Sequence, residues 1–342
     1  MKKILITGGA GFIGHHFVDH VLKNTDWKID ILDRLTYASH GFDRLKDTGS
    51  FFDPRVHVFT SDLSQEFGLG LRREIGEPDY IAHLAAETHI DSSIANPWPF
   101  IQSNVVGTFR ILELARSMSK LEKLIYCSTD EVFGAAQRGT AYREWDRYRS
   151  TNPYSATKAG AEELCVAWAN TYKVPILISH TMNAFGERQH AEKFIPLLVR
   201  KILAGETISI HADASKTNSG SRFYIHARNI AAAMLFLLVN GKPHDKYNVE
   251  KFNVVGEKEV SNLEMAGRVA DILGKELFSQ MVNFHATRPG HDLRYCLSGE
   301  KMAAMGWKVP VNFEESLERT IRWIADPKHS RWLEEKVEVG LL

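Results

Sequence analysis

Residues 3 to 14 read Lys3-Ile4-Leu5-Ile6-Thr7-Gly8-Gly9-Ala10-Gly11-Phe12-Ile13-Gly14, a short β-branched run that passes without a break into a cluster of glycines. Beyond them Ile13, Phe17, Val18, Val21 and Leu22 recur at helical spacing, giving one apolar stripe that can pack on a sheet. A second β-branched run follows at 29–32, so the first unit is strand, glycine turn, helix, strand. Similar runs at 56–60, 80–84, 124–128 and 176–179 alternate with helical patterns. That rhythm predicts an α/β chain with a parallel, doubly wound sheet.

The second half changes character. Residues 213–221 are rich in Ser, Asn and Gly and read as a loop, and 230–239 form a strongly apolar helix. Segment 307–323 sets Phe313, Leu317, Ile321 and Trp323 among charges and reads as a closing amphipathic helix. No Pro-, Gly- or Ser-rich linker separates two independent units, so a smaller C-terminal lobe growing out of the sheet is expected. Its boundaries are residues 1–180 plus about 222–256 for the sheet domain, and about 181–221 plus 257–342 for the lobe.

Composition narrows the function. Among 342 residues, 42 Lys plus Arg balance 42 Asp plus Glu, so no overall basic field is available for nucleic acid or an anionic membrane. Any polyanionic ligand must meet a local site. The apolar stretch after Met1 is too short for a signal peptide, and no run approaches the roughly 20 residues of a membrane span, so cytoplasmic residence is expected. Cys127, Cys165 and Cys296 are odd in number and far apart, and no grouping among the 15 histidines and the acids has metal-ligand spacing. Neither a disulfide framework nor a metal is expected.

The glycine turn suits a dinucleotide. Gly8 and Gly11 lack the Cβ that would block a tight turn and the approach of a pyrophosphate, and Gly14 lets helix and strand pack closely. The helix start then turns its unpaired N–H groups toward the phosphates. Asp33 ends the second strand, where its carboxylate can accept from the adenosine ribose and repel a 2′-phosphate, which favours NAD over NADP. Arg34 beside it could instead pair with a 2′-phosphate. Asp62 and Leu63 follow the third strand and could touch the adenine.

Asn152-Pro153-Tyr154-Ser155-Ala156-Thr157-Lys158 places a tyrosine and a lysine four residues apart just inside a predicted helix, on one face. A phenol with its ordinary pKa near 10 is a poor base at neutral pH, and an adjacent ammonium stabilises the phenolate that takes a hydroxyl proton. One strand earlier, Thr129-Asp130-Glu131 sits at a predicted strand end, where open parallel sheets bind ligands. Adjacent carboxyls in different environments can serve as acid and base in an elimination of water.

These motifs resemble the extended short-chain dehydrogenase/reductase family, and within it the sugar-nucleotide 4,6-dehydratases. Supporting segments are Leu32-Asp33-Arg34-Leu35-Thr36-Tyr37-Ala38, His83-Leu84-Ala85-Ala86-Glu87-Thr88-His89, Asn104-Val105-Val106-Gly107-Thr108, Glu192-Lys193-Phe194-Ile195-Pro196 and Arg288-Pro289-Gly290-His291-Asp292. The resemblance implies a Rossmann-type domain with a substrate-binding lobe, bound NAD, a nucleoside-diphosphate hexose as substrate, and a homodimer. It implies that Tyr154, helped by Lys158 and Thr129, removes the O4 proton as hydride leaves C4. Glu131 then takes the C5 proton, Asp130 protonates the departing 6-hydroxyl, and the hydride returns to C6.

Further cofactor contacts are implied for Phe12, Ile13, Leu35, Thr36, Leu84, Ala85, Ala86, Thr88 and Asn104, and substrate contacts for Thr88, Asn183, Lys193, Phe194, His211, Arg222, Arg288 and His291. His89 is a possible sugar or phosphate contact. Asp91-Ser92, His211, Lys258 and the 213–221 loop depart from the pattern of the dTDP-glucose enzymes and leave base and hexose open. A 4-epimerase, a 5,6-dehydratase and a non-catalytic NAD-binding regulator remain alternatives, with the Asp130–Glu131 pair separating dehydratase from epimerase.

Overall fold

Alternation within each strand builds the core. In β1 (Lys3–Thr7), Ile4 and Ile6 face one side of the sheet and join Phe17 and Val21 of α1 (Phe12–Asn24), while Leu5 faces the other. The computed structural model describes residues 1–36, 39–243, 249–283 and 292–334. β2 (Lys28–Asp33), β3 (Val56–Thr60), β4 (Tyr80–His83), β5 (Lys123–Thr129) and β6 (Ile176–Thr181) add to β1 in parallel, and β10 (Glu250–Val254) closes the sheet beside β6. The order β10-β6-β5-β4-β1-β2-β3 runs outward in both directions from β1, so the fold is the expected Rossmann-type α/β sheet. The crevice where the order reverses opens between the carboxyl ends of β1 and β4, which is where such sheets bind ligands.

The chain leaves the sheet after β6. β7 (Asn183–Phe185), β9 (Ser221–His226) and β11 (Glu259–Ser261) make one small sheet, and β8 (Ile208–Ala212) pairs with β12 (Ser279–Asn283) in another. Phe185, Leu198, Ile210, Met265 and Leu317 form their separate core. Among the helices, α2 (Gly107–Arg116) and α3 (Pro153–Tyr172) flank one face of the main sheet, and α5 (Ala227–Asn240) lies against α1 on the other. α4 (Phe194–Leu203) and α6 (Asn262–Leu273) belong to the second core. The amphipathic segment predicted from 307 becomes helical only at α7 (Phe313–Ala325), because Asn312 caps it by accepting from Glu315 N at 2.9 Å and Pro310 stands just upstream. All three cysteines are buried free thiols.

Candidate active site

The glycine turn is built by exclusion. Gly8 holds φ +71°, and a Cβ there would meet the Ala85 backbone at 2.7 Å. A Cβ on Gly14 would lie 2.0 Å from Gly8 O, so turn and helix cannot approach as they do with any larger residue. Gly11 caps α1 without a side-chain acceptor, and no acid occupies the first turn, which leaves the helix start suited to phosphate. Asp33 accepts from Ala10 N at 3.0 Å and from Leu35 N at 2.8 Å, bracing the turn against the end of β2. Burial pushes its carboxyl up, against those two hydrogen bonds.

Gly8, Gly11, Asp33, Thr36, Asp62, Leu63, Leu84, Ala85 and Ala86 line a pocket of about 100 Å³ beside this turn. Arg34 also lines it, but its guanidinium is held by Asp62 at 3.3 Å and Glu87 at 2.5 Å. The cation that could have taken a 2′-phosphate is thus already compensated by two acids, and the residues fit NAD. Leu35 is placed at φ +56° by the bend after β2. Asn104 differs from its expected contact role. Its amide accepts from Glu87 N at 2.8 Å and donates to Glu87 O and Thr157 Oγ1, both at 3.0 Å, so it ties the loop after β4 to α3 and lines neither pocket.

A larger cavity of about 370 Å³ adjoins, and it gathers Phe12, Ile13 and Thr88 from the sheet side with Thr129, Asp130, Glu131, Tyr154 and Lys158. From the other lobe come Asn183, Lys193, Phe194, His211 and Arg222. Asn152 caps α3 by accepting from Ser155 N at 2.8 Å, with Pro153 in the first turn, so Tyr154 and Lys158 rise on one face. Lys158 Nζ donates to Cys127 O at 2.7 Å and stands 4.3 Å from the Tyr126 ring centre. Its charge therefore sits at the end of β5. Burial first, and then the Glu131 carboxylate, raise the Tyr154 phenol, whereas the Thr129 hydroxyl lowers it.

Thr129 caps the turn that carries the acids, accepting from Glu131 N at 3.3 Å and donating to Asp130 Oδ1 at 3.2 Å. Asp130 is 3% exposed, and its Oδ2 has no hydrogen-bond partner among the described residues. Burial lifts its carboxyl to about 6, against the opposing charge of Arg222. Burial and then repulsion by Asp130 lift Glu131 to about 7. Two interacting carboxyls so placed titrate as a pair that retains a proton near neutrality.

Other expected contacts fare differently. Arg222 donates to Leu293 O at 2.7 Å and Asp292 O at 2.6 Å, so much of its fork is spent on backbone rather than left for a diphosphate. His89 caps the short helix Ile90–Ala95 by accepting from Ser92 N at 3.2 Å, and does not line the cavity. Lys258 pairs with Glu314. Asn183 Oδ1 is buried without a partner among the described residues. Arg288 and His291 lie outside the described residues.

Two features have little signal in the sequence. Tyr224, Asn262 and Tyr295 line the cavity from distant segments that only the fold brings in. Behind the acids, Glu162 accepts from Ser128 and Tyr148 and faces His180 Nε2 at 3.0 Å and Lys251 at 3.5 Å, with both its carboxylate and the His180 side chain fully buried. Its one hint is spacing, since Tyr154, Lys158 and Glu162 recur every four residues along α3.

A parallel sheet with this turn, a Tyr/Lys pair on one helix and acids at the neighbouring strand end define a nicotinamide-dependent enzyme of the extended short-chain dehydrogenase/reductase class. The family profile of GDP-mannose 4,6 dehydratase matches residues 5–320, and the chain belongs to that family of sugar-nucleotide 4,6-dehydratases. It is 34% identical to a dTDP-glucose 4,6-dehydratase of Neisseria gonorrhoeae, over 96% of this chain and 97% of that protein. The solved dTDP-glucose 4,6-dehydratase DesIV of Streptomyces venezuelae, with NAD bound, superposes with a TM-score of 0.84 at 33% identity, covering 95% of this chain and 98% of that one. A Thermus thermophilus UDP-glucose 4-epimerase, also with NAD, gives 0.82 at 25% identity, covering 95% and 99%.

Proposed function

We propose that this chain converts a nucleoside-diphosphate hexose to its 4-keto-6-deoxy form, with Thr129, Asp130, Glu131, Tyr154 and Lys158 as the reacting set. The observation that carries the reading is the acid pair: two carboxyls raised into the neutral range share one cavity with Tyr154. A 4-epimerase needs no such pair, since it eliminates nothing. The glycine turn and Asp33 would hold NAD, which when bound would supply hydride-transfer chemistry for oxidation at C4 and reduction at C6.

Tyr154 takes the O4 proton, and Lys158 and Thr129 supply the charge and hydrogen bond that favour its phenolate. The 4-keto group acidifies C5–H, whose proton passes to Glu131. Asp130, with its buried Oδ2 lacking a partner among the described residues, holds the proton given to the departing 6-hydroxyl. Asn183, Lys193, Phe194, His211 and Arg222 form the wall against which sugar and diphosphate lie, and the sequence motif adds Arg288 and His291 as substrate contacts. Homodimerisation through the face that includes α3, and residence in the cytoplasm, complete the reading. No helix among the described residues is long and apolar enough to cross a membrane.

Purified chain incubated with dTDP-, UDP-, CDP- and GDP-hexoses is expected to release from one of them a product lighter by one water, read by mass spectrometry. A product of unchanged mass overturns the dehydratase in favour of the epimerase. Absence of turnover across the set leaves the regulator.

A further inference from the structure

A separate cavity of about 370 Å³ shares no lining residue with the cofactor pocket or the catalytic cavity. Lys23 of α1, Arg188 beyond β7, Arg228 at the start of α5, and Arg319 and Trp323 of α7 line it, so it lies where the helices on the main sheet meet the second core. The acids in its wall are already engaged. Asp19 pairs with Lys23 at 2.7 Å, Asp47 with Arg188 at 3.3 Å and also with Arg331, and Glu187 with His226 at 2.9 Å and Arg319 at 3.3 Å. Arg228 takes part in none of these pairs. Its Nη2 donates to Ser316 Oγ at 3.3 Å, and its Nε has no hydrogen-bond partner among the described residues. Burial first, and then the like charge of Arg319, depress its guanidinium, against the pull of Glu187 and Glu315. A half-buried cation left so is costly unless an anion completes it.

We propose that this cavity is a second ligand site, which takes the phosphate group of a small, non-nucleotide ligand between Arg228 and Arg319. Guanidinium forks match phosphate oxygens, and a dianion between two arginines relieves their mutual repulsion. Arg188 is held at φ +65°, a conformation that a residue with a Cβ rarely adopts, with its guanidinium 4.8 Å from the Trp323 ring centre. His329 stacks on the same ring at 3.8 Å and 14°. With Arg188 and His329 both against it, the Trp323 ring is not open to a nucleobase. The volume nevertheless exceeds what a single phosphate fills, which leaves room for a sugar or other small polar group attached to it.

The test titrates NAD-loaded protein by calorimetry with inorganic phosphate and, separately, with glucose 1-phosphate, the ionic strength being held constant with chloride. Saturable binding is expected. Arg228→Gln and Arg319→Gln are each expected to weaken it by at least about tenfold, since each removes a charge-assisted hydrogen bond, while NAD affinity stays within about twofold of wild type. The Arg319 side chain is 64% exposed, so the folding of that variant is not at stake. Tighter binding of glucose 1-phosphate than of phosphate assigns the site to a phosphorylated sugar, and equal binding assigns it to the free ion. Binding that neither variant weakens, or no binding of either compound up to on the order of 10 mM, overturns the site. The dehydratase reading is untouched by either result, because the site does not rest on it.

Discussion

Replacing Glu131 by Gln removes an ionisable group from a site that penalises its charge. The carboxyl rises from 4.5 to about 7 on folding, through burial first and the Asp130 charge second. A carboxyl whose folded value lies above its unfolded one binds its proton more tightly in the folded state. Its penalty is therefore absent below pH 4.5, grows across the window from 4.5 to 7, and is complete above. At about 1.36 kcal/mol per factor of ten in proton affinity, the full penalty is on the order of 3 kcal/mol, and contact with solvent in the cavity trims it toward 2. With an unfolding entropy of roughly 2.1 cal/mol/K per residue, a chain of 342 residues converts this to a rise in Tm of about 3–4 °C for the variant at pH 8. Melting curves of cofactor-stripped protein at pH 4.5 and pH 8 are the assay, with the gain expected only at the higher pH. A difference equal at both values, or a variant that melts lower at pH 8, refutes the reasoning. The same variant is expected to oxidise C4 but to lose exchange of the C5 proton with solvent, followed by deuterium incorporation, and unimpaired turnover removes Glu131 from the chemistry.

Gly14→Ala sets a methyl group 2.0 Å from Gly8 O, so the turn must open, and NAD affinity is expected to fall by at least about tenfold in a fluorescence titration. An unchanged Kd would show that the turn does not cradle the pyrophosphate. Glu162→Gln leaves His180 and Lys251 facing each other without their shared carboxylate. Urea unfolding is expected to register a loss of about 3–5 kcal/mol, and a loss under about 1 would mean that the buried charges do not depend on one another.

What could be read from the sequence was what local sterics dictate. The glycine turn declares itself because no other residue tolerates the contacts at Gly8 and Gly14. Four-residue spacing placed Tyr154 and Lys158 on one face before any tertiary contact was considered. Long-range placement is another matter. Arg222 looks like a free phosphate fork until Leu293 and Asp292 turn their carbonyls onto it, and Asn104 looks like a ligand contact until Glu87 and Thr157 use up its amide. Tyr224 and Asn262 carry no local mark, since only the fold brings them to the wall that Asp130 and Glu131 also line.

The position of β10 bears on how the molecule is made. A ribosome releases β6 well before β10, with roughly 70 residues of chain between them, which at 5–20 residues per second is on the order of ten seconds. Throughout that interval one rim of the half-made sheet, formed by the apolar Leu177 and Ile178, has its backbone donors and acceptors open to another emerging chain. Yield of native protein should therefore depend on translation speed and on chaperone supply more than the finished structure suggests.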